Sequence, residues 1–97
     1  MNIRHPAVAG LFYEGDTERL REQVDELLAA ANPQPGPPPR GLIAPHAGYI
    51  YSGELAASAY RQLRTTNGGA QRVVLLGPAH RVYLQGMALP GAEAFAT

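Results

Sequence analysis

Between Asn32 and Arg40 the chain reads NPQPGPPPR, which packs five of its nine prolines into nine residues. Proline has no amide hydrogen to donate, and it drives the residue before it out of the helical region, so this stretch can be neither helix nor inner strand. The composition predicts a stiff, extended connector over residues 32–40. With 97 residues in all, there is room for one small core and no second domain, so the connector lies inside a single unit spanning 1–97.

On the near side of the connector, PAVAGLFY (residues 6–13) is apolar and ends in two aromatics before the turn signal EGD. Asp16 or Thr17 can cap a helix, and in TERLREQVDELLAAAN the positions Leu20, Val24, Leu27 and Leu28 recur at the spacing of one helical face. Glu18, Arg19, Arg21, Glu22 and Asp25 fall mostly on the other face, which predicts a surface helix lying on a core.

Beyond the connector, Gly41–Ala44 reads as a short buried strand followed by the loop PHAGYIYSG. A second helix over about 54–64 would offer Leu55, Ala59, Tyr60 and Leu63 to the core, and TTNGGAQ would end it. RVVLLG (72–77) is apolar without alternation, as a strand covered on both faces should be, and VYLQGMAL (82–89) can form another. Strand, helix and strand in that order favour a right-handed parallel crossover. The expected fold is therefore α/β, with a partial, largely parallel sheet and flanking helices.

Eight basic and eight acidic residues give no net charge, so nothing in the composition attracts nucleic acid or an anionic membrane. The absence of cysteine excludes a disulfide framework, a thiolate metal site and a cysteine nucleophile within these residues. No apolar run approaches the length of a membrane span, and MNIRHPAVAG has no apolar stretch of the signal-peptide kind. A soluble, cytoplasmic setting is expected.

Two segments share an unusual pattern. LIAPHAGYIYSG (42–53) and VVLLGPAHRVY (73–83) each run from an apolar strand-like stretch through a proline to a lone histidine, His46 and His80. If the strands are parallel neighbours, both histidines lie beyond the same sheet edge, where open α/β sheets hold ligands. Neutral imidazole binds zinc, iron, copper or nickel, and two from adjacent loops would make half of a metal site. The plain alternative is a pair of solvated loop histidines. His5 has no such partner and reads as structural or exposed. Tyr49 and Tyr51 can flank a pocket or cover a core edge with their hydroxyls in water. Ser52 can cap a helix, alone or beside an anion held by amides around Gly53. NGG at 67–69 lacks the lysine of a phosphate loop, Ser52 and Ser58 lack a nucleophile motif, and Glu18 with Glu22 reads as a solvated face. Glu54, the nearest acid to either histidine loop, reads first as a helix-start charge.

Together PAVAGLFY, LIAPHAGYIYSG, AASAY and VVLLGPAHRVYLQGMAL, in this order and at these separations, resemble the Memo family, whose bacterial and archaeal members are called AmmeMemoRadiSam system protein B. The resemblance spans most of the chain. It implies a fold similar to class III extradiol ring-cleaving dioxygenases, an α/β sandwich with a metal crevice. By motif it places His46 and His80 on the family's metal-binding histidines, and Phe12 and Tyr51 on aromatic positions near the crevice.

The resemblance also implies domains well over twice this length, with a further pocket histidine and a metal-binding cysteine in the part after Thr97. Where the family commonly has a histidine after the second ligand, this chain has Arg81. The chain accordingly reads as the N-terminal third of a Memo-like domain. An incomplete metal site is expected, with redox or oxygen chemistry reserved for the longer protein. A small-molecule or peptide ligand held in the crevice without chemistry is the alternative. A partial sheet leaves apolar faces and edges open, so self-association is expected too.

Overall fold

The structure, a computed structural model, describes residues 1–32, 35–65 and 72–97. Its elements in chain order are β1 (Ile3–Arg4), α1 (Thr17–Ala30), α2 (Tyr49–Tyr60), a 3-10 turn (Arg61–Thr65) and β2 (Ala94–Phe95). β1 and β2 pair in parallel, with Ile3 opposite Ala94 and Arg4 opposite Phe95. The class is thus α/β, as a partial arrangement of two helices and a short parallel two-stranded sheet.

Helix α1 follows from its sequence. Asp16 is extended (φ −85°, ψ 133°), and its carboxylate accepts from the Arg19 amide at 3.0 Å, satisfying one of the donors a helix start leaves unpaired. Leu20, Val24, Leu27 and Leu28 are all half-buried, while Glu18, Arg19, Arg21, Glu22 and Asp25 are exposed. The helix stops at Ala30 because Pro33 constrains the residue before it. Pro33 and Gln34 of the connector lie outside the described residues, and residues 35–40 form neither helix nor strand.

Helix α2 begins five residues earlier than the expected 54, because Gly48 starts it and the loop reading of PHAGYIYSG does not hold past Gly48. The earlier start changes the packed face. Tyr49, Ser52, Gly53, Ala56, Ala57 and Tyr60 line the side turned to α1, at the three-and-four spacing of one face, and Leu55 is left 68% exposed. Small residues at the centre let the helices approach closely. A Cβ built on Gly53 would stand 3.2 Å from Leu27 Cδ1, so α1 and α2 meet where α2 has no side chain. The break expected at 65–71 lies, past Thr65, outside the described residues.

The strands expected at 41–44, 72–76 and 82–89 are not formed. A parallel strand of this kind needs neighbours on both edges and cover on both faces, and here it has neither. Val73, Val74, Leu75 and Leu76 are 76–85% exposed, and Ile43 is fully exposed. Pairing occurs instead between the two ends of the chain, where the Asn2 amide donates to a Glu93 carboxylate oxygen at 2.8 Å and the Glu93 amide donates to the Asn2 carbonyl at 2.8 Å. The Arg4 guanidinium adds a contact over the Phe95 ring at 5.8 Å. Among the described residues Ala57, at 5% exposed, is the one apolar side chain that is buried, and the radius of gyration is 15.0 Å. A compact domain of this length would have about 12.5 Å. Apolar surface is therefore left open along much of the chain.

Candidate functional site

A turn built by PAVAGLFY supplies one wall of the site. Gly10 has φ +79°, a left-handed conformation that a side chain would strain, and the amides of Leu11 and Phe12 donate to the Val8 carbonyl at 3.0 and 2.9 Å. The turn presents Phe12 to the start of α2. There the Tyr49 amide donates to the Phe12 carbonyl at 2.7 Å, and a Cβ on Gly48 would lie 3.4 Å from Phe12 Cα. The histidine loop is thereby held against the turn at the one residue without a side chain.

Ser52 holds the same loop from the other side. Its hydroxyl donates to the Ala47 carbonyl at 3.0 Å, with the Gly48 carbonyl at 3.5 Å as a longer alternative. It is therefore not the helix cap expected from the sequence. Gly48 occupies the cap position, and Ser52 sits buried one turn into the helix.

Between α1, α2, the turn and this loop lies a cleft of about 430 Å³. Phe12, Tyr13, Tyr49 and Tyr60 contribute its aromatic wall, Leu27 and Leu28 its aliphatic one, and His46 with Pro45 its rim. Tyr51 is not part of it and is 86% exposed. The alternation of Tyr49 and Tyr51 would serve one face of an extended chain, but residues two apart on a helix point about 200° apart, so only one of the pair can face the cleft.

His80 reaches His46 from the separate segment after Leu76. The two rings stack with centroids 5.1 Å apart and planes inclined by 23°. A metal ion about 2.0–2.1 Å from one nitrogen of each ring, near the tetrahedral angle, sets ring centres about 5 Å apart. The centroid spacing matches that of two imidazoles sharing one ion, whereas the near-parallel stacking is that of two rings in simple contact, so sharing an ion requires one ring to turn. Among the described residues, no group of three or more His, Cys, Asp or Glu side chains is placed to hold a metal. His5 is exposed.

Tyr49 is the one residue here whose ionisation is clearly altered. Burial raises its pKa above the ordinary 10.0, and the neighbouring Tyr13 and Tyr60 hydroxyls, once ionised, raise it further. Its ring lies 5.8 Å from that of Tyr13. Because the folded chain keeps this proton to higher pH than the unfolded chain does, stability is intact below about pH 10 and falls as pH rises through the folded pKa. A Tyr49→Phe variant is expected to show a shallower loss of helical circular dichroism above that pH. An unchanged decline would show that Tyr49 does not contribute to it.

The fold and the paired histidines define a partial α/β unit with His46 on an apolar cleft and the His80 ring stacked against it. The chain belongs to the Memo family: residues 4–97 match the family described as Memo-like protein. It is 44% identical over 80 residues to a MEMO1 family protein of Aquifex aeolicus, covering 82% of this chain and 28% of that one. It is 40% identical over 97 residues to Protein MEMO1 of Danio rerio, covering 100% and 32% of the two chains. A MEMO1 family protein of Methanothermobacter thermautotrophicus is 41% identical over 102 residues, at 98% and 36% coverage. The chain thus spans about a third of the length of these relatives. No solved structure matches it.

Proposed function

We propose that this chain supplies two ligands, His46 and His80, to a metal-binding crevice whose remaining donors come from outside the described residues. The observation that carries the reading is the direct contact of these two rings, brought together from separate segments at 5.1 Å. Zinc, iron or copper suits an imidazole pair, and two imidazoles alone make a weak site. Such an ion, when bound, supplies Lewis-acid polarisation of an oxygenated substrate or redox chemistry, as in a dioxygenase-like oxidoreductase. The chain's own residues do the rest. Phe12 and Tyr49 form an apolar wall beside His46 that limits water, and Tyr49 keeps its phenolic proton at neutral pH.

A second reading is favoured by the cleft itself. Its volume of about 430 Å³ and its aromatic lining suit a small molecule or an apolar peptide side chain held without chemistry. Single substitutions separate the two. His46→Ala and His80→Ala are each expected to weaken Zn(II) or Cu(II) binding by at least about tenfold in calorimetric titration. Unchanged affinity in both would remove the metal reading. Affinity lost while binding of a cleft ligand persists would favour the module.

A further inference from the structure

We infer that Ser52 is a positioning residue, whose hydroxyl holds the His46 loop in the place where the His46 ring meets His80. The inference rests on the two-imidazole reading only for its metal consequence. Its geometric part stands separately.

Ser52 is the one buried polar side chain among the described residues, and a buried hydroxyl without a partner is costly, so its hydrogen bond has a purpose to explain. A serine one turn into a helix ordinarily bonds back to the carbonyl three or four residues earlier. Ser58 does so, donating to the Glu54 carbonyl at 3.0 Å. Ser52 instead makes its shorter bond to Ala47, five residues back and outside the helix, at 3.0 Å, with the in-helix Gly48 carbonyl at 3.5 Å. The Ala47 carbonyl belongs to the residue directly after His46.

The loop is thus clamped at two points. The Tyr49 amide ties its far end to the Phe12 carbonyl at 2.7 Å, and Ser52 ties its middle to α2. His46 itself is exposed, with no hydrogen bond through its ring among those described, so these ties set where its backbone stands and its contact with the His80 ring is the one the structure gives the side chain. Gly53 and Ala57, beside Ser52 on the same face, are held against α1, which gives the clamp a firm base. Removing the hydroxyl leaves the Ala47 carbonyl without its donor and frees the loop to swing about the remaining tie.

The test compares Ser52→Ala, Ser52→Cys and Ser52→Thr in the 97-residue chain. In proton NMR the parent protein is expected to show cross-peaks between the His46 and His80 rings. Ser52→Ala should lose them with helical circular dichroism unchanged, Ser52→Cys should weaken them, and Ser52→Thr, which restores a hydroxyl, should keep them. If Ser52→Ala lowers the helical signal, Ser52→Cys decides, because it fits the same space with only a weak donor. Cross-peaks as strong in Ala and Cys as in the parent would overturn the inference. So would their loss in Thr with helix intact. For the metal, Cu(II) affinity should fall about tenfold in Ser52→Ala and recover in Ser52→Thr. Cross-peaks lost in Ser52→Ala while Cu(II) affinity is unchanged both there and in His46→Ala would support the positioning role and count against the metal reading alone.

Discussion

At micromolar concentrations the 97-residue chain is expected to sediment as an associated species and not as a monomer. The reason is the run Val73, Val74, Leu75 and Leu76, whose side chains are 76–85% exposed, together with Ile43 at 100%. Fully burying one such side chain is worth about 1.5–3 kcal/mol, so a contact that covers several of them offsets the entropic cost of bringing chains together. Soluble monomers seldom leave such continuous apolar stretches in water. Replacing Val74 and Leu76 together by glutamate puts two charges into that run and is expected to move the sedimentation profile towards monomer. A compact monomer already present in the parent chain would refute this account of the surface.

The second large effect is at the helix contact. Valine at Gly53 would bring a Cβ to 3.2 Å from Leu27 Cδ1 and 3.3 Å from Tyr49 Cβ, with two further methyl groups beyond it. Forced overpacking of this sort costs about 1–3 kcal/mol. Valine's better helix propensity than glycine returns only about 0.4 kcal/mol, so separation of α1 from α2 should win. Alanine is a different case. Its single Cβ asks Leu27 to move by a few tenths of an ångström, while helix propensity returns about 1 kcal/mol. Urea unfolding followed by circular dichroism should therefore place Gly53→Val clearly below the parent and Gly53→Ala near or above it. Equal stability of the two variants would show that the contact at Gly53 is not tight.

Local features were legible in the sequence, and long-range ones less so. The half-buried stripe of α1 and its Asp16 cap follow from spacing and from one side chain, both readable within a single turn. The packed face of α2 was hidden because it is built of Ser52, Gly53, Ala56 and Ala57, residues with little hydrophobic signal. Their spacing, framed by Tyr49 and Tyr60, is the clue the residues offer, and half of it lies before Glu54 in a segment whose proline and glycines suit a loop. Leu55 carries a strong hydrophobic signal on the expected face and is exposed.

The apolar segments at 41–44 and 72–76 have strand composition, yet a strand exists only when a partner supplies its ladder, and composition names no partner. The pairing of Ile3–Arg4 with Ala94–Phe95 gave no signal, since two residues show no period. Even so, the two histidines read from their matched surroundings come together, by stacking of their rings and without a shared sheet edge. Phe12 and Tyr49 face the adjoining cleft, while Tyr51 turns away because of helix phase.

The central claim is that His46 and His80 ligate the same ion, and pulsed electron paramagnetic resonance of the chain loaded with one equivalent of Cu(II) tests it most directly. The account predicts modulation from two coordinated imidazoles, reduced to one by His46→Ala or by His80→Ala and unaffected by His5→Ala. One imidazole in the parent chain, or two that survive both single substitutions, would contradict it.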